Sequence, residues 1–219
     1  MIKLYDHPLS PYAQKVKISL REKGVPFETV LPDGLGAGGA AGEFLAANPR
    51  AEVPALIEGD VAIFDSTIIL EYVEDRFPTP PMLPATPADR ARVRMIEEVM
   101  DTHVEAINWG LSEIRWFGRA TGEAAEQLTA RARAQTEGAY AWLEKRLGDK
   151  AWFNGDAFGW GDLSVVPYVN GSAGHGNPPT EGSRLAAWLA RANARPSVAE
   201  TNAEAARFST AMRDVAGLV

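Results

Sequence analysis

Ser10 stands directly before Pro11 in the stretch HPLSPYAQKVKISLREKG, residues 7–24, where Ala13, Val16 and Leu20 recur at helical spacing. Ser is among the best N-cap residues and Pro is favoured at the first helical position, so the pair marks a helix start. A helix N-terminus carries N–H groups without intrahelical partners and a partial positive charge. Lys15, Lys17, Arg21 and Lys23 follow on the same helix. A hydroxyl in that place serves as a helix cap or as part of a site for an anion, of which a thiolate is one example. Thiols at helix N-termini ionise below their ordinary pKa of about 8.5, and a hydroxyl that donates to the sulfur stabilises the anion further. The chain has no cysteine, so any such thiol belongs to a ligand. Disulfides, Cys-ligated metals and Cys nucleophiles are excluded.

A second pair, Asp65-Ser66, opens the run STIILEYVEDRF, in which Ile69, Tyr72, Val73 and Phe77 are helically spaced, and Ser66 is expected to cap it. Val53-Pro54 opens a strand. Tyr5 and Tyr12 are rival hydroxyls to Ser10. His7, His103 and His175 are far apart, without metal-ligand spacing. His7 lies near the Ser10 turn, and His103 is expected to be semi-buried beside an apolar helical stripe. No phosphate loop, dinucleotide fingerprint or zinc motif occurs.

The elements that must position these residues change character midway. The first part reads strand (IKLYD), helix (Pro11–Lys23), strand (FETVL), short helix (EFLAAN), two strands about the turn Glu58-Gly59-Asp60, then helix, ending near Phe77. A glycine-rich loop, PDGLGAGGAAG, offers only Asp33 for chemistry. The proline-rich run PTPPMLPATPAD is the boundary. Beyond it every element is helical. Val93, Ile96, Met100, Val104, Ile107, Leu111 and Ile114 predict one long helix over 88–117. Leu128, Ala132, Ala139 and Leu143 predict a second over 122–147. Three more follow: GDLSVVPYVNG, GSRLAAWLARANARPSV and, more weakly, AEAARFSTAM. The expected organisation is therefore a mixed α/β domain over 1–77, a linker over 78–88 and an all-helical domain over 89–219.

A formal charge of −7 and a pI near 5.1 argue against nucleic acid and anionic membrane surfaces as partners. Neither a signal peptide nor an apolar run of membrane-spanning length is evident. The expectation is a soluble cytoplasmic protein.

The order LSPYAQKVKISLREKG, NPRAEVPAL, FDSTIILEYVEDRFP, proline-rich linker and helical half resembles the cytosolic glutathione transferase superfamily, over nearly the whole chain. The resemblance implies an N-terminal thioredoxin-like domain (βαβαββα) and glutathione as co-substrate, with no metal. It implies that Ser10 holds the thiolate and that Val53-Pro54 is cis, the Val53 backbone pairing with the cysteinyl backbone of glutathione. Asp65 then faces the γ-glutamyl ammonium, and Ser66 its carboxylate. Where relatives carry Gln or Lys before the Val-Pro pair this chain has Glu52, so Arg50 or Lys15 is expected to serve the glycyl carboxylate. Tyr12, Trp109, Arg115 and Trp116 are implied to wall the pocket for a hydrophobic electrophile. Asp162 is implied to complete a capping box, with Gly159 at the cap position. A homodimer is implied. A non-catalytic scaffold that binds other proteins, a kind also found in the superfamily, is the alternative.

Overall fold

The computed structural model describes residues 1–35 and 39–216; residues 36–38 of the glycine-rich loop lie outside the described residues. Two compact units are present: Met1–Met82 together with Ala194–Val219, and Leu83–Asn193.

The first unit holds β1 (Ile2–Tyr5), α1 (Pro11–Glu22), β2 (Phe27–Val30), α2 (Gly42–Ala47), β3 (Ala55–Glu58), β4 (Val61–Phe64) and α3 (Ser66–Arg76). Its sheet has the order β2-β1-β3-β4, with β1 parallel to β2 and the other pairs antiparallel. This is the thioredoxin-like arrangement. The turn at Gly59 has φ 63, a conformation that glycine adopts without steric cost. One core cluster packs Tyr5, Phe44, Ala47 and Ala55.

The last helix, α9 (Pro196–Ala216), also belongs to this unit. The all-helical domain expected over 89–219 would instead include it. Charge accounts for the difference. Lys17 on α1 has a fully buried side chain, with Asp6 at 2.7 Å and Glu204 of α9 at 3.0 Å. Arg21 pairs with Glu200 and Glu204, and Arg195 with Glu22 at 2.7 Å. A buried ammonium is tolerable only when paired. Lys17 and Arg21 of α1 are therefore matched by the acids of α9, a link that helical periodicity does not reveal.

The second unit contains α4 (Pro87–Glu98), a π-helical turn (Val99–Val104), α5 (Glu105–Arg115), α6 (Gly122–Leu147), α7 (Trp160–Gly174) and α8 (Arg184–Asn193). The single helix expected over 88–117 is thus interrupted. Apolar spacing of three and four is shared by a helix with an inserted π turn, so the interruption was not readable from the stripe. His103, on that turn, is exposed rather than semi-buried. In α6 the buried positions are Thr136, Ala139, Leu143 and Leu147, while Leu128 is exposed. The core centres on α7, where Trp160, Leu163, Val166 and Tyr168 are buried. No helix among the described residues is long and apolar enough to cross a membrane.

Candidate active site

Ser10 is the N-cap of α1 and Pro11 its first residue. The Ser10 Oγ accepts the Ala13 N–H at 3.3 Å, and the Ser10 N–H donates to the His7 carbonyl at 2.8 Å. No acid occupies the first turn of α1, so its partial positive end is not offset from within the helix. Both features follow from the local sequence, Ser-Pro-Tyr-Ala.

The rival hydroxyl of Tyr5 is committed elsewhere. It donates to Glu43 Oε2 on α2 at 2.7 Å, and that carboxylate raises the Tyr5 pKa. Tyr12 is half-buried in the first turn of α1. Lys15 is completely buried, with Nζ 3.4 Å from Thr67 Oγ1 at the start of α3. Its ammonium thus lies near the segment that carries Asp65 and Ser66.

Val53-Pro54 is cis. The ladders of β3 begin at Ala55, opposite Tyr5 and Phe64, so the Val53 backbone stands outside the sheet register. The preceding turn is tied by Asn48, whose Nδ2 donates to the Glu52 carbonyl at 2.7 Å and whose Oδ1 accepts the Arg50 N–H at 3.0 Å. Glu52 and Arg50 form an exposed ion pair. The acid that departs from the family pattern is therefore neutralised locally, by the same arginine expected to serve a ligand carboxylate.

The start of α3 corrects one expectation. Its N-cap is Asp65, not Ser66: Asp65 Oδ1 accepts the N–H groups of Thr67 at 3.0 Å and Ile68 at 3.3 Å, and Ser66 is the first helical residue. Asp65 is exposed and Ser66 buried. Asp65 adopts φ 72, ψ 123, a region that non-glycine residues rarely enter. Such conformations persist where the surroundings impose them, commonly at binding sites.

In the second unit Trp109, Trp116 and Phe117 are all more than half exposed. Trp109 packs on Phe117 with centroids 6.0 Å apart, and Trp116 on His175 at 5.3 Å. Arg115 donates to the Gly174 carbonyl at 2.9 Å, closing the end of α7. None of the three aromatic residues is buried in the core of the second unit.

Residues 4–81 match the model of the glutathione S-transferase N-terminal domain, and residues 126–191 that of the C-terminal domain. Glutathione S-transferase U28 of Arabidopsis thaliana is 31% identical over 199 residues, 88% of this chain and 84% of that protein. This chain belongs to the glutathione S-transferase family. A stringent starvation protein A homolog of Coxiella burnetii is 40% identical over 93 residues, covering 42% of this chain and only 43% of that relative's length. The solved structure of rice GST1 in complex with glutathione superposes with a TM-score of 0.77, at 28% identity, over 91% of this chain and 89% of that one.

Proposed function

We propose that this glutathione S-transferase family member is an active transferase that conjugates glutathione to a hydrophobic, aromatic or conjugated electrophile. The observation that carries the reading is the start of α1, where a Ser hydroxyl caps a helix with no acid in its first turn. Ser10 donates to the glutathione sulfur and favours the thiolate. The Val53 backbone, beside Pro54, takes the cysteinyl backbone. Asp65 faces the γ-glutamyl ammonium and Ser66 its carboxylate at the N-terminus of α3. Arg50, screened by Glu52, serves the glycyl carboxylate weakly, so the affinity expected is modest.

The thiol proton leaves to solvent. The sulfur lone pair forms the C–S bond as the bond to a leaving group breaks. For an activated double bond, the electron pair moves to the neighbouring carbon, which takes a proton from water. Within the helical unit, the exposed rings of Trp109 and Trp116 offer stacking surfaces to the electrophile, and Arg115 adds a cation on the same stretch of chain. Binding and orientation supply much of the rate. The working form is a cytoplasmic homodimer.

Calorimetric titration of glutathione into the purified protein at neutral pH tests the reading. Heat corresponding to a micromolar to low-millimolar Kd, roughly −8 to −4 kcal/mol, is expected. No heat and no thermal shift at high glutathione would count decisively against it. A second reading, a scaffold that acts by binding proteins, draws on the similarity to the stringent starvation protein A homolog and on the engagement of Arg50 with Glu52. It requires Ser10→Ala to cost no more than a helix cap, about 1 kcal/mol of stability.

A further inference from the structure

The Ser10 turn is held from one side by His7. The Leu9 N–H donates to His7 Nδ1 at 3.3 Å, and the Ser10 N–H to the His7 carbonyl at 2.8 Å. Gln14 closes the same turn by donating Nε2 to the Pro8 carbonyl at 2.8 Å. The outer side of the His7 imidazole is covered by α9: the Phe208 ring packs edge-on against it, with centroids 4.8 Å apart. A continuous set of contacts thus runs from α9 through Phe208 and His7 to the residue that caps α1. We propose that His7 is a positioning residue for the Ser10 hydroxyl, and that the last helix governs it through Phe208. The inference rests on the reading of Ser10 given above.

The chemistry of the contact explains why a histidine matters here. Nδ1 accepts the Leu9 N–H only while the ring is neutral with its proton on Nε2. A protonated ring presents a donor to that N–H instead, and the turn loosens. Burial, to which the packed ring of Phe208 contributes, lowers the His7 pKa from its ordinary 6.5. Asp6 on the same segment opposes that shift and Lys17 on α1 assists it. From α9, Glu204 reaches the same Lys17. Glu204 thereby offsets part of the Lys17 effect, and the last helix keeps the ring neutral as well as oriented through the packed ring of Phe208 and the burial to which it contributes.

The test uses the full-length chain in four forms: wild type, His7→Phe, His7→Asn and Phe208→Ala. One arm follows the Leu9 and Ser10 amide resonances without ligand. The other follows bound-glutathione thiolate absorbance and turnover of a chlorodinitrobenzene across pH. His7→Phe keeps the ring against Phe208 but deletes the acceptor, so kcat falls about three- to tenfold while the glutathione KM stays within about twofold. His7→Asn restores activity, because an Asn side chain accepts the N–H two residues on. Wild type loses activity as pH falls through the His7 pKa, and His7→Asn lacks that acid limb. Phe208→Ala relieves the burial, so the limb moves to higher pH.

Identical acid limbs in wild type and His7→Asn overturn the proposal. So do Leu9 and Ser10 amides unmoved by His7→Phe and Phe208→Ala. If the amides respond while wild type binds no glutathione, the transferase reading fails and the positioning of Ser10 by His7 stands.

Discussion

Two helix starts in this protein are each anchored by an aspartate, and they use it in opposite ways. At α7, Asp162 is completely buried and accepts from the N–H groups of Phe153 (2.9 Å), Asn154 (3.4 Å) and Gly159 (3.2 Å) and from Trp188 Nε1 (2.8 Å). Gly159 has no side-chain oxygen to offer in return, so only the reciprocal half of a capping box exists. At α3, Asp65 is exposed, bonds the first N–H groups of its own helix and no other group among the described residues, and sits at φ 72. Asp162 spends its acceptors on the protein and stitches α7, α8 and the 152–155 loop together. Asp65 keeps acceptor capacity toward solvent and holds an unfavourable backbone conformation. The difference separates an acid that serves the fold from one available to a ligand.

Four substitutions would break or sharpen that contrast. Asp162→Ala strands several buried N–H donors, so equilibrium unfolding should show a loss of about 3–5 kcal/mol. A loss below about 1 kcal/mol would remove the structural assignment. Glu105 supplies the control of a half-buried acid with no hydrogen-bond donor among the described residues: burial and the neighbouring Asp101 push its pKa from 4.5 up to about 7. The native state then holds a proton that the unfolded chain releases between those values, so stability from this group falls as pH rises through that window. Glu105→Gln should be more stable than wild type at about pH 8, by on the order of 3 kcal/mol, with the advantage gone near pH 4; a pH series of unfolding midpoints reads this.

Ser10→Ala comes next. We expect kcat to drop about tenfold or more with glutathione Kd nearly unchanged, since one pKa unit of thiol is a factor of ten in affinity for the proton, and about 1 kcal/mol of stability to be lost. The smallest effect is the most discriminating. Asp65→Asn keeps an equally good cap and a residue tolerant of positive φ, so stability should stay within about 0.5 kcal/mol. Loss of the carboxylate charge should weaken glutathione about tenfold in a calorimetric titration. Unchanged affinity would make Asp65 a cap like any other.

Much of this was written in the chain itself. Ser10-Pro11 names a helix start because cap chemistry is local, and Gly24 (φ 64) ends that helix where glycine permits. The short apolar runs, turn residues and helical spacings of residues 2–77 produced the strands and helices of the first unit in order, since turn and cap chemistry act over a few residues. Other features depended on partners remote in sequence. Which residue caps α3 turned on the φ of Asp65. The π turn at 99–104 shares its apolar spacing with an uninterrupted helix. The neutralisation of Glu52 by Arg50 required the turn that brings them together, and the placement of α9 in the first unit required Lys17 to be buried 187 residues from its Glu204 partner. Periodicity and capping depend on neighbours within about a turn, so sequence by itself determined the elements and the candidate hydroxyl. Ion pairing and ring packing depend on distances between segments, so the sequence put His7 beside the Ser10 turn, but only the tertiary structure decided what covers that histidine: Phe208 of the last helix, packed edge-on against it.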